Sequence, residues 1–187
     1  MTADEETAPA ARPVLAEVRV ATAAQMRDLG RRLAGLLHPG DLVVLTGALG
    51  AGKTTLVQGI GLGLGVRGPV TSPTFVIARV HPAASDGPAL VHADAYRLGS
   101  RAEVDDLDLD TDLDASVTVV EWGEGLVEEL AVSRLQIEIT AGRAEPGAGG
   151  PGETDSEPRI VRLTASGQRW EAAESTIQAL SGRPGAL

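Results

Sequence analysis

Cysteine and asparagine do not occur in this 187-residue chain. The absence of cysteine excludes a disulfide framework, a thiolate metal site and a cysteine nucleophile. Aromatic residues are almost as scarce, at 2% of the chain: Phe75, Tyr96, Trp122 and Trp170. No apolar run is long enough to cross a bilayer, and the acidic opening Met1-Thr2-Ala3-Asp4-Glu5-Glu6-Thr7 lacks the basic-then-apolar order of a secretory signal. These absences lead us to expect a cytoplasmic protein with no membrane contact. Positive charge is also short, with a net charge of −10 and a pI of about 4.7. An unaided nucleic-acid binder carries a basic stripe to neutralise phosphates, and no such stripe is visible.

Lysine is reduced to one residue. The basic side chains are fifteen Arg and the single Lys53. A chain that uses Arg everywhere else and keeps one Lys marks a site where a planar guanidinium will not substitute for a compact ammonium. Beyond these shortages the composition is ordinary, 43% apolar and 22% charged, and the length suits one domain.

Residues 1–13, rich in Ala, Pro, Glu and Thr, read as a disordered tail, and 14–187 as one domain. Alternation from Val14 to Val20 predicts a first strand. Thr22 is a suitable N-cap for a helix through Leu37, with Met26, Leu29, Leu33, Leu36 and Leu37 on its apolar face. Leu42 to Leu45 is a continuous apolar run, as in a strand covered on both sides. Lys53 to Leu64 predicts a helix, weakened by Gly59, Gly61 and Gly63. Strands are expected at Thr74–Val80, Ala89–Ala93 and Val117–Val120, and short helices near Ser100–Leu107 and Leu126–Leu130. Leu135–Thr140 and Ile160–Leu163 read as a hairpin at a sheet edge, joined by a mobile loop over 141–158. A final helix is expected from about Gly167 to Leu180. The pattern predicts a three-layer α/β domain with a mainly parallel central sheet and an antiparallel edge hairpin.

Gly47-Ala48-Leu49-Gly50-Ala51-Gly52-Lys53-Thr54 meets the G-x-x-x-x-G-K-[ST] pattern in full. It follows a buried strand and opens a helix, the context in which backbone N–H groups wrap phosphates and the helix N-terminus adds positive potential. Lys53 is expected to reach the β- and γ-phosphates and the Thr54 hydroxyl to ligate Mg²⁺. Missing Asn and a second Lys, the chain cannot build the Asn-Lys-x-Asp device that reads guanine, so ATP is the expected nucleotide.

Asp94 and Glu121 stand at the ends of two predicted strands, where an open α/β sheet gathers groups beside the phosphates. Either suits the second metal anchor or the group that orients water; the lesser alternative, for each alone, is a solvated strand-end carboxylate. Thr71-Ser72-Pro73-Thr74-Phe75 offers three hydroxyls around a rigid proline. Alone it reads as a helix-to-strand turn. Asp106, Asp108, Asp110, Asp112 and Asp114 lack the glycine of a calcium loop and read as a solvated acidic segment. His92 gains meaning only through its neighbours.

Four motifs in order resemble one family: Gly47 to Thr55, Thr71 to Phe75, His92-Ala93-Asp94-Ala95-Tyr96-Arg97-Leu98, and Val120-Glu121-Trp122. Across about residues 15–165 the chain resembles the bacterial TsaE (YjeE) family of tRNA threonylcarbamoyladenosine biosynthesis. The resemblance implies a P-loop ATPase that binds the TsaD–TsaB transferase complex, touches tRNA only indirectly, and hydrolyses ATP with Mg²⁺. It implies nucleotide binding by Gly47, Leu49, Gly50, Ala51, Gly52, Lys53, Thr54, Thr55 and Trp122. Thr54, Glu121 and Asp94 would hold the metal, and Asp94, Glu121 and Thr74 would form the catalytic set. The tail and the 141–158 loop exceed the family's compact form, and Gly123 stands where proline is common. Two rivals follow from the cradle alone: a small-molecule P-loop kinase, for which no Arg-rich lid is evident, and a nucleotide-sensing module that hardly hydrolyses.

Overall fold

A computed structural model of the chain describes residues 13–73, 75–98, 100, 103, 113–127, 130–143 and 157–181. Thr74, most of the expected 100–107 helix and of the acidic segment, the tail up to residue 12, and 144–156 of the expected loop lie outside them.

The strands are β1 (Ala16–Val20), β2 (Leu42–Gly47), β3 (Ala78–His81), β4 (Ala89–Asp94), β5 (Ser116–Glu121), β6 (Arg134–Ala141) and β7 (Arg159–Ser166). They form one sheet in the order β1-β7-β6-β2-β5-β4-β3. The inner four, β6, β2, β5 and β4, run parallel, while β1–β7, β7–β6 and β4–β3 pair antiparallel. The β6–β7 hairpin therefore stops one strand short of the margin: β1, with Ala16, Val18 and Val20 buried, adds beyond it.

Among the described residues the named α-helices are α1 (Ala23–Ala34), α2 (Lys53–Leu64), α3 (Gln168–Glu171) and α4 (Glu174–Ala179), with 3₁₀ turns at Ala95–Arg97 and Leu113–Ala115. Their buried residues, among them Leu29, Leu33, Leu56, Ile60, Trp170 and Ile177, share one core with Val43, Leu45, Leu90, Val119 and Ile137 of the sheet. The opposite face buries Leu42, Val44, Val91, Ala93 and Val120 with Val127. The alternation along β2 thus feeds two cores, which is why its sequence is apolar without interruption.

Thr22 caps α1 as expected, its hydroxyl accepting from the Gln25 amide at 3.2 Å. The helix ends at Ala34; the turn to Leu37 uses tighter bonds, Leu36 N to Leu33 O and Leu37 N to Ala34 O. The α2 bounds match the sequence reading, and its glycines have a use. A Cβ on Gly59 would stand 2.8 Å from Arg27 Cα, and one on Gly30 would stand 2.8 Å from Ile60 N. The two helices cross backbone against backbone, at positions where a side chain would hold them apart.

Three expected elements differ. The 74–80 strand begins only at Ala78, because the Pro73 carbonyl accepts from both Val76 and Ile77 amides and Ile77 is left-handed (φ 67°). Of the helix expected at 126–130, residues 128 and 129 lie outside the described residues; 124–126 form turns, with Gly125 left-handed at φ 79°, and 127 is a bend. The terminal helix divides into α3 and α4, because i→i+3 bonds on either side of Trp170 tighten the chain there. No helix among the described residues is long and apolar enough to cross a membrane.

Candidate functional site

Residues 48–52 leave the C-terminal end of β2 and enter α2, as the glycine-rich spacing requires. Gly47 (φ 141°) and Gly52 (φ 109°) take backbone angles that other residues rarely adopt. A Cβ on Gly47 would also run into the Ile139 carbonyl on neighbouring β6. The loop is thereby pressed against the sheet end, and within it the Ala51 amide donates to the Ala48 carbonyl at 3.1 Å.

Lys53 is 4% exposed. Its Nζ donates to the carbonyls of Gly47 at 2.8 Å and Ala48 at 3.1 Å. It also lies 3.9 Å from the centroid of the Trp122 ring, a cation–π contact. Burial pushes the ammonium below the ordinary lysine value, while the charges of Glu121 and then Asp94 hold it up. Trp122, just past β5, is left-handed at φ 62°, and its ring packs on Tyr96 with centroids 5.2 Å apart. A bulky residue held in that region is backbone strain of a kind that persists where a site over-determines it.

The two strand-end acids come together. In the β4–β5 ladder Asp94 is the direct register partner of Glu121. Glu121 Oε1 accepts from the Thr54 hydroxyl at 2.8 Å, tying the end of β5 to the first turn of α2. Asp94 Oδ1 accepts from the Tyr96 amide at 3.0 Å and caps the short 3₁₀ turn Ala95–Arg97.

A cavity of about 230 Å³ collects these groups: Leu49, Gly50, Gly52, Lys53, Thr54, Thr55, Ser72, Asp94, Glu121 and Trp122. Seven of the nine expected nucleotide contacts thus line it. Ala51 lines an adjoining cavity of about 240 Å³ that shares Gly50, Gly52 and Thr55 and is closed by Val20, Thr22, Met26, Glu157 and Arg159. Gly47 lines neither and acts beneath the loop. Thr74 lies outside the described residues.

Three participants carried no assigned role in the sequence reading, although His92 and Ser72 lay in its motifs. His92, fully buried, places Nε2 2.9 Å from Glu121 Oε1. Ser72 of the Ser-Pro segment reaches the cavity wall, and Met26 of α1 packs against Gly52. The signal for His92 was the period of two along β4, which puts His92 and Asp94 on one face.

The donor set fits a hard divalent cation. Thr54, Asp94 and Glu121 offer only oxygen, and no group of three or more His, Cys, Asp or Glu suited to a metal occurs among the described residues. A metal here would rely on few protein oxygens, completed by phosphate and water, which is the habit of Mg²⁺ rather than of a protein-caged metal.

Residues 20–146 match the family described as "Threonylcarbamoyl adenosine biosynthesis protein TsaE". A Streptomyces coelicolor protein named tRNA threonylcarbamoyladenosine biosynthesis protein TsaE is 60% identical over 155 residues, 82% of this chain and 99% of its own length. A Bacillus subtilis protein of the same name is 35% identical over 149 residues, 79% of this chain and 84% of its own. Among solved structures, the crystal structure of Bacillus subtilis YdiB superposes with a TM-score of 0.64 at 30% identity. It covers 86% of this chain and 92% of that one.

Proposed function

The chain belongs to the TsaE family of threonylcarbamoyl adenosine biosynthesis proteins, and from that premise we propose that it is an ATPase serving the TsaD–TsaB transferase complex. The observation that carries the reading is the hydrogen bond between Thr54 and Glu121, formed beside Lys53 and Asp94 at the mouth of one cavity. It brings the hydroxyl of the phosphate loop and a strand-end carboxylate into the relation that Mg²⁺–nucleotide binding needs.

In this reading the amides of 48–52 and Lys53 take the phosphates, and Lys53 exchanges its carbonyl partners for phosphate oxygens. The adjoining cavity, walled by Val20 and Met26 and edged by Thr22 and Arg159, takes the nucleoside. Thr54, Glu121 and Asp94 would hold Mg²⁺, which would supply charge compensation on the phosphate oxygens. Asp94 and Glu121 also align the attacking water. Its oxygen bonds to the γ-phosphorus as the bond to the β–γ bridging oxygen breaks, giving ADP and inorganic phosphate, and the proton that the water loses passes to solvent. The net charge of −10 supports tRNA being held by the partner rather than by this chain.

The test is ATP hydrolysis with and without TsaD–TsaB, alongside Asp94→Asn and Glu121→Gln. We expect partner-dependent turnover that either substitution lowers at least about tenfold. Normal rates in both variants, or transfer of phosphate to a small hydroxyl compound with no response to the partner, would sink the proposal.

A further inference from the structure

His92 sits at the centre of β4, 0% exposed, on the strand face that carries Asp94 and packs toward α2. A carboxylate only accepts, so the 2.9 Å contact to Glu121 makes Nε2 the protonated nitrogen of the ring. The other nitrogen, Nδ1, is buried with no hydrogen-bond partner among the described residues. Leaving an acceptor unsatisfied in the interior costs free energy, and an aliphatic side chain would fill the same space without that cost. Among the described residues the ring's one hydrogen bond is with Glu121, and the His81 ring stands 6.5 Å away.

That contact falls on a particular oxygen. Oε1 accepts from both Thr54 and His92, one donor arriving from α2 and the other from β4. Two donors occupy its two lone pairs and fix the carboxylate plane, so Oε2 is the oxygen left to act. Thr54 alone would leave the carboxylate free to rotate about a single bond. We infer that His92 is a positioning residue that sets which Glu121 oxygen faces the phosphates. It acts through Glu121 and touches neither nucleotide nor water, as partners behind an acting group do. This inference rests on the proposed hydrolysis for its consequence, though not for the hydrogen bond itself.

Two amide substitutions separate positioning from packing. The amide nitrogen of Gln can occupy the place of Nε2, whereas Asn reaches only as far as Nδ1. In His92→Asn, hydrolysis at saturating ATP and Mg²⁺ should fall about tenfold or more. His92→Gln should stay within about threefold of the parent, and ADP affinity without metal should be unchanged in both. Nitrogen-15 NMR of the nucleotide-free parent gives an independent readout. It should show the Nε2–H tautomer, with a downfield proton that moves in Glu121→Gln. Equal loss in the Gln and Asn variants, or an Nδ1–H tautomer, overturns the inference. If the parent itself shows no hydrolysis, the functional proposal fails while the tautomer still decides the hydrogen bond.

Discussion

Replacing Gly59 with alanine adds one methyl group where α1 and α2 meet backbone to backbone. In an exposed helix the change would gain about 1 kcal/mol of helix propensity. Here the new Cβ would stand inside contact distance of the Arg27 carbonyl and 2.8 Å from the Arg27 Cα. Neither neighbour is the movable end of a side chain, so the helices must part by roughly 1 Å, which forfeits up to about half of the dispersion attraction across the seam. Overpacking of this kind costs about 1–3 kcal/mol even where side chains can shift, and a rigid backbone belongs at or above the top of that range. After the propensity gain we expect a net loss of about 2 kcal/mol, or about 4–8 °C in Tm for a chain of this size. Thermal and urea denaturation would measure it, with Gly35→Ala as the control. Gly35 has right-handed angles (φ −66°), and its Cβ would meet only one atom, at 3.4 Å. A Gly59→Ala protein as stable as its parent would refute the close crossing. Because α2 begins at Lys53, a loosened variant should also bind nucleotide more weakly.

Three further outcomes follow from individual contacts. Lys53→Arg keeps the charge but loses the compact head that bonds the Gly47 and Ala48 carbonyls under Trp122; we expect a folded protein with at least about tenfold slower ATP hydrolysis, and an unimpaired rate would contradict the lone-lysine argument. His81 is held below its ordinary value by burial, then by His92 and Arg79, so it resists charging in the folded state. Its contribution is complete above about pH 6.5 and is lost as pH falls from there through the folded value; His81→Gln should show a shallower acid-side loss of stability in denaturation from pH 7.5 to 5.5, and an unchanged slope would count against it. Arg169 donates to buried Asp41 at 2.8 Å and to the Leu36 carbonyl. Removing it in Arg169→Ala should cost about 2 kcal/mol, the guanidinium being partly solvated, and a Tm within 1 °C of the parent would show the pair to be dispensable.

Much of this was legible before any coordinates. The cradle announces itself because glycine, lysine and threonine are needed at fixed spacing, and strand-end Asp94 and Glu121 follow from where apolar runs stop. The glycines of α2 were legible as residues but misleading as signals. Propensity counts them against the helix, whereas the reason for Gly59 and Gly63 lies across the seam in Arg27 and Arg31, and that for Gly61 in the Val70 side chain. The late start of β3 was hidden for a similar reason, since the Pro73 carbonyl takes two amides that a pattern of side chains cannot reveal. His92 shows the limit most plainly. Its period relative to Asp94 is written in the sequence, but its bond to Glu121 depends on β4 and β5 being neighbours, and strand order is a tertiary fact.

The single lysine has a chemical consequence of its own. A reagent that modifies primary amines finds only two addresses on this chain, the α-amine and the ε-amine of Lys53. The second is tucked beneath an indole with 4% of its surface exposed. Three static contacts, the two carbonyls and the indole, hold that amine, so its acylation should lag behind that of the α-amine. The proposed cradle thus carries a single-copy ε-amine whose modification can be followed by peptide mass without an engineered label.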